Sequence, residues 1–266
     1  VSTPEEDPVS HQRRDSTARS RYLGAVLRRS RERAGFGGAQ LARTLCWSPT
    51  RIAKLESGER GTDDADLAAF LATCGVRGAE FARAVALQRA PSREPWFHAH
   101  GGDPVERAAP LVVEERRASA ISGYHHRLVP ELLRTPEYAL ALDPGEPVDL
   151  LQRRQEVLER VPCVFYVEQH ALRRVVGDAR IAHEQLMQLV LSPAAIRVLP
   201  PGGVPDVASA FTVLHDERPV VHVDTLVGGV FLEHPCVVAE CRRALDALDA
   251  AALDAPDSRA FLLTLV

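Results

Sequence analysis

Residues 48–60, SPTRIAKLESGER, bring hydroxyls and cations together in one short stretch. Ser48, Thr50 and Ser57 stand among Arg51, Lys54 and Arg60. Side chains of these types hold phosphates and read base edges in the major groove of double-stranded DNA. A helical advance of about 100° per residue sorts them into faces. Ile52, Leu55 and Glu56 fall on one side, Thr50, Ala53, Lys54 and Ser57 on the other, and Arg51 on the flank. The apolar pair must meet a core, which leaves the polar side for a partner. Gln40, one predicted helix earlier, completes the candidate set.

Other groups invite a catalytic or metal reading. His125–His126, and Glu168 with His170, are acid–base types. FHAHGGD sets His98, His100 and Asp103 close in sequence, as a chelate would need. Each is read here as an ordinary surface or hydrogen-bonded residue. His234 and Cys236 flank Pro235, which suits a turn. Lys54 is the only lysine, so a phosphate-binding Walker loop, a Schiff base and a His-Lys-Asp phosphodiesterase pattern are excluded for this sequence. G-x-S-x-G and G-x-G-x-x-G are absent. The expectation is a binding protein with no catalytic residues, cofactor or metal. A hydrolase with a DNA-targeting head is the alternative.

Two short helices must position the polar face. The first spans about residues 39–45, with Leu41, Ala42 and Leu45 on its buried side. Cys46 and Trp47 make the turn. Ser48 is the N-cap, and Pro49 takes the first helical position, where its missing N–H costs nothing. The second helix runs to about Ser57, and Gly58 can adopt the left-handed conformation that ends it. An amphipathic helix precedes the pair, with Leu23, Val26 and Leu27 inward and Arg28, Arg29, Arg31 and Arg33 outward. Two more follow, with Leu67, Phe70, Leu71 and Cys74, then Phe81, Val85 and Leu87, on their buried sides.

Residues 27–71, with LRRSRERAG, AQLA and SPTRIAKLESG in order, resemble the XRE type of helix-turn-helix domain. The family usually has glutamine where Gly38 and Pro49 stand here. The resemblance implies a structural role for Glu56 and Gly58, with Arg28 or Arg31 as the cation that holds Glu56; Arg28 is taken as the structural residue.

The chain as a whole supports a DNA reader with a separate body. Its 266 residues, 45% hydrophobic, suffice for two domains. Net charge of −4 hides a split. Residues 19–90 carry 13 basic and 7 acidic side chains, residues 91–266 carry 17 and 25, and residues 1–18 add −2. Five scattered cysteines without C-x-x-C argue against disulfides or zinc and for a reducing cytoplasm. No apolar run approaches a membrane span. The expected layout is a disordered tail over 1–20, a five-helix DNA-binding domain over 21–90, a Pro/Gly-rich linker over 91–110, and a mixed α/β regulatory domain over 111–266.

In that last region, residues 111–142 read as two helices, the first carrying Ala118, Ile121 and Tyr124. Strands are expected near 161–167, 196–199, 210–214, 220–223 and 230–232, and helices over 181–191 and 236–253. One small sheet covered by helices is the simplest plan, an α+β chain in all. ERRASAISGYHHRLVPELLRTPEYALAL, RRQEVLERVPCVFYVEQHALRRVVG and VVHVDTLVGGVFLE are similar to the C-terminal domain of actinobacterial WhiJ-like regulators. The resemblance implies an antitoxin-like transcriptional regulator, a homodimer on DNA, and a small partner protein encoded nearby. A contact surface near Tyr124, Tyr138 and Glu168 is expected.

Overall fold

Glycine and its neighbours punctuate the first ninety residues into helices. In the computed structural model, which describes residues 16–59, 61–89, 95–99, 103–202 and 207–266, these are α1 (Ala18–Arg33), α2 (Gly38–Thr44), α3 (Pro49–Glu56), α4 (Asp64–Thr73) and α5 (Gly78–Arg89). The chain divides into two compact units, Val1–Ser92 and Arg93–Val266.

In the first unit, α1 ends at Gly35 and α4 at Gly75, both left-handed with φ of +77° and +73°. Each closes its helix by paired backbone bonds. Gly35 N and Phe36 N donate to Glu32 O and Arg31 O, and Gly75 N and Val76 N donate to Ala72 O and Leu71 O. The expected apolar sides meet in one core of Leu23, Leu27, Leu41, Ile52, Leu55, Leu67, Phe70 and Leu71. Full burial of each such side chain is worth about 1.5–3 kcal/mol, so α3 is fixed chiefly by Ile52 and Leu55.

In the second unit the elements run β1 (Trp96–Ala99), α6 (Pro104–Arg117), β2 (Ala120–His125), α7 (Pro136–Leu142), α8 (Val148–Gln155), α9 (Val157–Arg160), β3 (Cys163–Glu168), α10 (Gln169–Arg173), α11 (Ala179–Leu191), β4 (Ala195–Leu199), β5 (Phe211–His215), β6 (Val220–Asp224), β7 (Gly228–Leu232), α12 (Pro235–Ala251) and α13 (Ala255–Leu263). A single 3-10 turn, Glu131–Leu133, precedes α7. The seven strands form one sheet in the order β1-β7-β6-β5-β2-β3-β4. β2, β3 and β4 are parallel and the other pairs antiparallel. The fold class is therefore as expected, a helical region followed by a mixed α/β domain.

One face of the sheet carries Tyr124, Tyr166, Phe211, Val213 and Val221, covered by Val238, Leu245 and Leu248 of α12. On the other, cross-strand pairing sets Phe165, Gly123, Thr212, His222, Phe231 and Trp96 in a row. The β4 edge is closed by the chain's last segment: Val198 N donates to Ser258 Oγ at 3.0 Å, and Leu253 N to Val198 O at 2.9 Å. That removes an open ladder that could pair with another chain.

Two expectations are corrected. Residues 120–125 form a strand, not the end of a helix. Ile121 and Tyr124 are three apart, which suits a helix face, but both are buried between strands on either side. Residues 91–110 are not simply a linker, since they hold β1 and the start of α6. Pro110 lies inside that helix. Proline cannot donate to the carbonyl four residues earlier, and that carbonyl, Glu106 O, is met by His98 Nε2 at 3.2 Å. Among the described residues no helix is long and apolar enough to cross a membrane.

Candidate nucleic-acid interface

The turn between α2 and α3 sets the geometry of the polar face. α2 closes with Cys46 N bonded to Arg43 O and Trp47 N to Ala42 O. Cys46 is the one non-glycine residue with positive φ among those described, at 55°. A side chain in the left-handed region costs about 1–2 kcal/mol. Cys46→Val, with a β-branched chain, is expected to destabilise the first unit by about 1 kcal/mol or more, and Cys46→Gly to be neutral or slightly stabilising. Urea unfolding of the two variants checks the order.

Ser48 then caps α3, its Oγ accepting from Arg51 N at 3.2 Å, with Pro49 at the first helical position. Ile52 and Leu55 are buried, while Ser48, Thr50, Ala53 and Lys54 are exposed. Ser57 is half-buried and donates to Lys54 O at 3.2 Å. Gln40 is exposed on α2 and shares a face with Arg43 and Thr44 by spacing. Arg43 was not singled out from sequence, although its place three residues after Gln40 carried the signal. Arg60 lies outside the described residues.

Arg51, expected from the sequence to contact DNA, has partners within the domain. Its guanidinium pairs with Asp66 of α4 and lies 4.1 Å over the Trp47 ring. It ties α3 to α4 and the turn, so Lys54 is the freer cation of the face.

Glu56 is held, as expected, by a cation of α1, but that cation is Arg31. Arg31 Nε and Nη2 reach the two carboxylate oxygens at 2.6 and 2.9 Å, and Nη1 donates to Phe36 O at 2.8 Å. The hydrogen bond to Glu56 raises the Arg31 pKa against the cost of burial. Arg28 is corrected to a surface residue paired with Glu32 at 2.9 Å. The two arginines are three apart and flank the same helix side, and only the packing angle decides between them. Gly58 has φ of +72°, and a Cβ there would meet Arg21 N at 2.6 Å; one on Gly24 would meet Glu56 O at 2.5 Å. Glycine at both positions lets α1 touch the end of α3.

A helix-turn-helix domain family matches residues 22–84. A domain of unknown function, DUF5753, matches residues 108–264, more than half of the chain. The chain belongs to the DUF5753 family. The crystal structure of the clp gene regulator ClgR from C. glutamicum is similar at 26% identity over 28% of this chain and 96% of that one, with a TM-score of 0.24. No curated protein matches.

Within the DUF5753 region the sequence candidates separate. Tyr124 and Tyr138 are each 2% exposed, so they are core residues and not the expected contact surface. Tyr124 donates its hydroxyl to Glu168, whose other oxygen lies 3.1 Å from His170 Nδ1. Burial, then the Glu168 bond, pushes the Tyr124 hydroxyl well above its usual range. Asp103 caps α6 through Val105 N, and His98 serves Pro110 as described, while His100 lies outside the described residues. Among the described residues no three His, Cys, Asp or Glu side chains are grouped to hold a metal.

Proposed function

We propose that this DUF5753 protein is a sequence-specific transcriptional regulator that binds operator DNA as a two-fold dimer. The helix-turn-helix domain implies DNA binding, and the observation that supports the reading most is the exposed polar face of α3, held from behind by Ile52, Leu55 and Glu56. A lone module reads few base pairs, so dimers are the usual solution. The C-terminal domain is read as the regulatory body, cytoplasmic and antitoxin-like, taking a small partner protein encoded nearby. An effector acts by binding the free and DNA-bound forms unequally, typically by about 1–3 kcal/mol.

The test is binding to a selected operator across salt concentration. Each phosphate contact contributes about 0.9 to the slope of log K against log salt. Lys54→Ala is expected to weaken binding and lower the slope by about twice that amount, since two chains bring two copies of Lys54 to each operator. Because Lys54 is the only lysine, amine-selective acetylation with and without operator reads its protection directly. An unchanged slope with unprotected Lys54 removes it from the interface. Adding the neighbouring protein to the complex should release or tighten DNA. Turnover of esters or phosphoesters lost in His125→Ala, with no partner effect, would favour the hydrolase reading.

A further inference from the structure

The second unit contains a cavity of about 420 Å³, within the usual size of small-molecule sites. It lies at the end of the sheet where β2 finishes and β5 begins, with Tyr124 opposite Phe211. Residues of α6, α8, β6 and the 3-10 turn complete the lining. Three arginines and three carboxylates belong to it: Arg127, Arg134 and Arg154, with Glu115, Glu131 and Asp224.

Part of that charge is closed to a ligand. Arg154 grips Glu115 through Nε and Nη2, at 3.0 and 2.9 Å, and their side chains are only 3% and 5% exposed. Glu131 is satisfied on one side alone. Its Oε2 accepts from Arg154 at 3.0 Å, while Oε1 has only Arg134 Nη1 standing off at 3.9 Å, beyond hydrogen-bond reach. The Glu131 side chain keeps 41% of its surface, and Oε1 is open to solvent. Burial raises its pKa, but the charges of Arg154 and Arg134 bring it down to about 2, so the group is ionised at neutral pH.

Arg127 is the counterpart of opposite sign. It is exposed, lines the same cavity, and makes no hydrogen bond or ion pair among the described residues. Its guanidinium keeps the fork of donors that grips a carboxylate. An anion alone would pair with Arg127 but meet Glu131; a cation alone would pair with Glu131 but meet Arg127. Like charges brought together oppose binding. A molecule carrying both charges satisfies both residues. They are four apart in the chain, so their Cα atoms lie within about 14 Å, a gap that the long arginine arm and a small molecule can fill together. Half-buried Leu111 and Leu128 add apolar surface to the lining.

We propose that this cavity binds a small zwitterion with an apolar body, a free amino acid or short peptide, whose carboxylate pairs with Arg127 and whose ammonium pairs with Glu131. The site stands apart from the DNA-binding reading: calorimetry reads it without operator, and its failure would leave that reading in place.

The experiment uses the full chain and isothermal calorimetry. Leucine, Leu-Leu and Leu-Leu-Leu are the zwitterions. Their N-acetyl derivatives keep only the carboxylate, their C-terminal amides keep only the ammonium, and the doubly blocked forms keep neither. At least one zwitterion is expected to bind one-to-one, with all three of its blocked forms at least tenfold weaker. Arg127→Gln, at an exposed position, should fold as the wild type does. It should bind the zwitterion and its amide nearly equally, while still preferring the free amine over the N-acetyl form. Glu131→Gln should do the reverse; if it misfolds, Arg127→Gln decides alone. No binding by any zwitterion, a blocked form within tenfold of its parent, or an undiminished preference for the free carboxylate in Arg127→Gln overturns the proposal.

Discussion

Arg154→Leu is expected to destabilise the C-terminal unit by about 3–5 kcal/mol, the usual cost of removing one member of a buried ion pair. The side chains of Arg154 and Glu115 are 3% and 5% exposed, so Glu115 would be stranded as an unpaired buried charge, with Glu131 beside it. The pH dependence separates this cause from lost packing. In the wild type, burial pushes Glu131 up, but Arg154 and Arg134 together bring it down from its usual 4.5 to about 2. A depressed carboxyl stabilises the fold fully above about 4.5, and that contribution is lost as pH falls through about 2. In the variant Glu115 loses its paired cation and Glu131 keeps only Arg134, so both rise, and protonation relieves the strain at mildly acid pH. The gap between variant and wild type should narrow from pH 7 to pH 4 in denaturant titrations. A constant gap would assign the loss to packing alone.

Arg31→Ala is expected to cost the helix-turn-helix unit about 3 kcal/mol, since both it and Glu56 are only 11% exposed at the side chain. The substitution strands Glu56 and also frees the Phe36 carbonyl. Glu56→Gln should be milder because the amide still accepts one bond. The double variant Arg31→Met, Glu56→Leu should recover much of the loss, because no charge is left unpaired. Arg28→Ala should leave stability nearly unchanged. Thermal unfolding of the four variants reads the order, and operator binding should fail in step with folding. If Arg28→Ala proves as damaging as Arg31→Ala, the pairing is wrong.

Local chemistry made α3 legible in the sequence. Ser48 and Pro49 start it, Gly58 ends it, and Ile52 and Leu55 fix its buried side. The central strand β2 was hidden for the opposite reason. Ser122 and Gly123 break any β pattern, and Ile121 and Tyr124 fit a helix as well as a strand. β1 is short and lies among prolines that read as linker. Pro110 sits in a helix only because His98, from another element, takes the carbonyl it leaves. The cavity could not be read at all. Its lining residues Glu115, His125, Glu131, Arg154 and His222 come from separate elements, and only the tertiary fold brings them around one cavity.

The chain has two tryptophans, and they fall one to each unit. Trp47 lies under the Arg51 guanidinium beside α3, and Trp96 stacks on Phe231 at 5.0 Å on the sheet edge. Intrinsic fluorescence thus comes with two separable reporters. Trp96→Phe leaves an emission that follows the helix-turn-helix unit and its encounter with DNA; Trp47→Phe leaves one that follows the DUF5753 unit. Melting the two variants side by side asks whether the units unfold together or in sequence, without any added label.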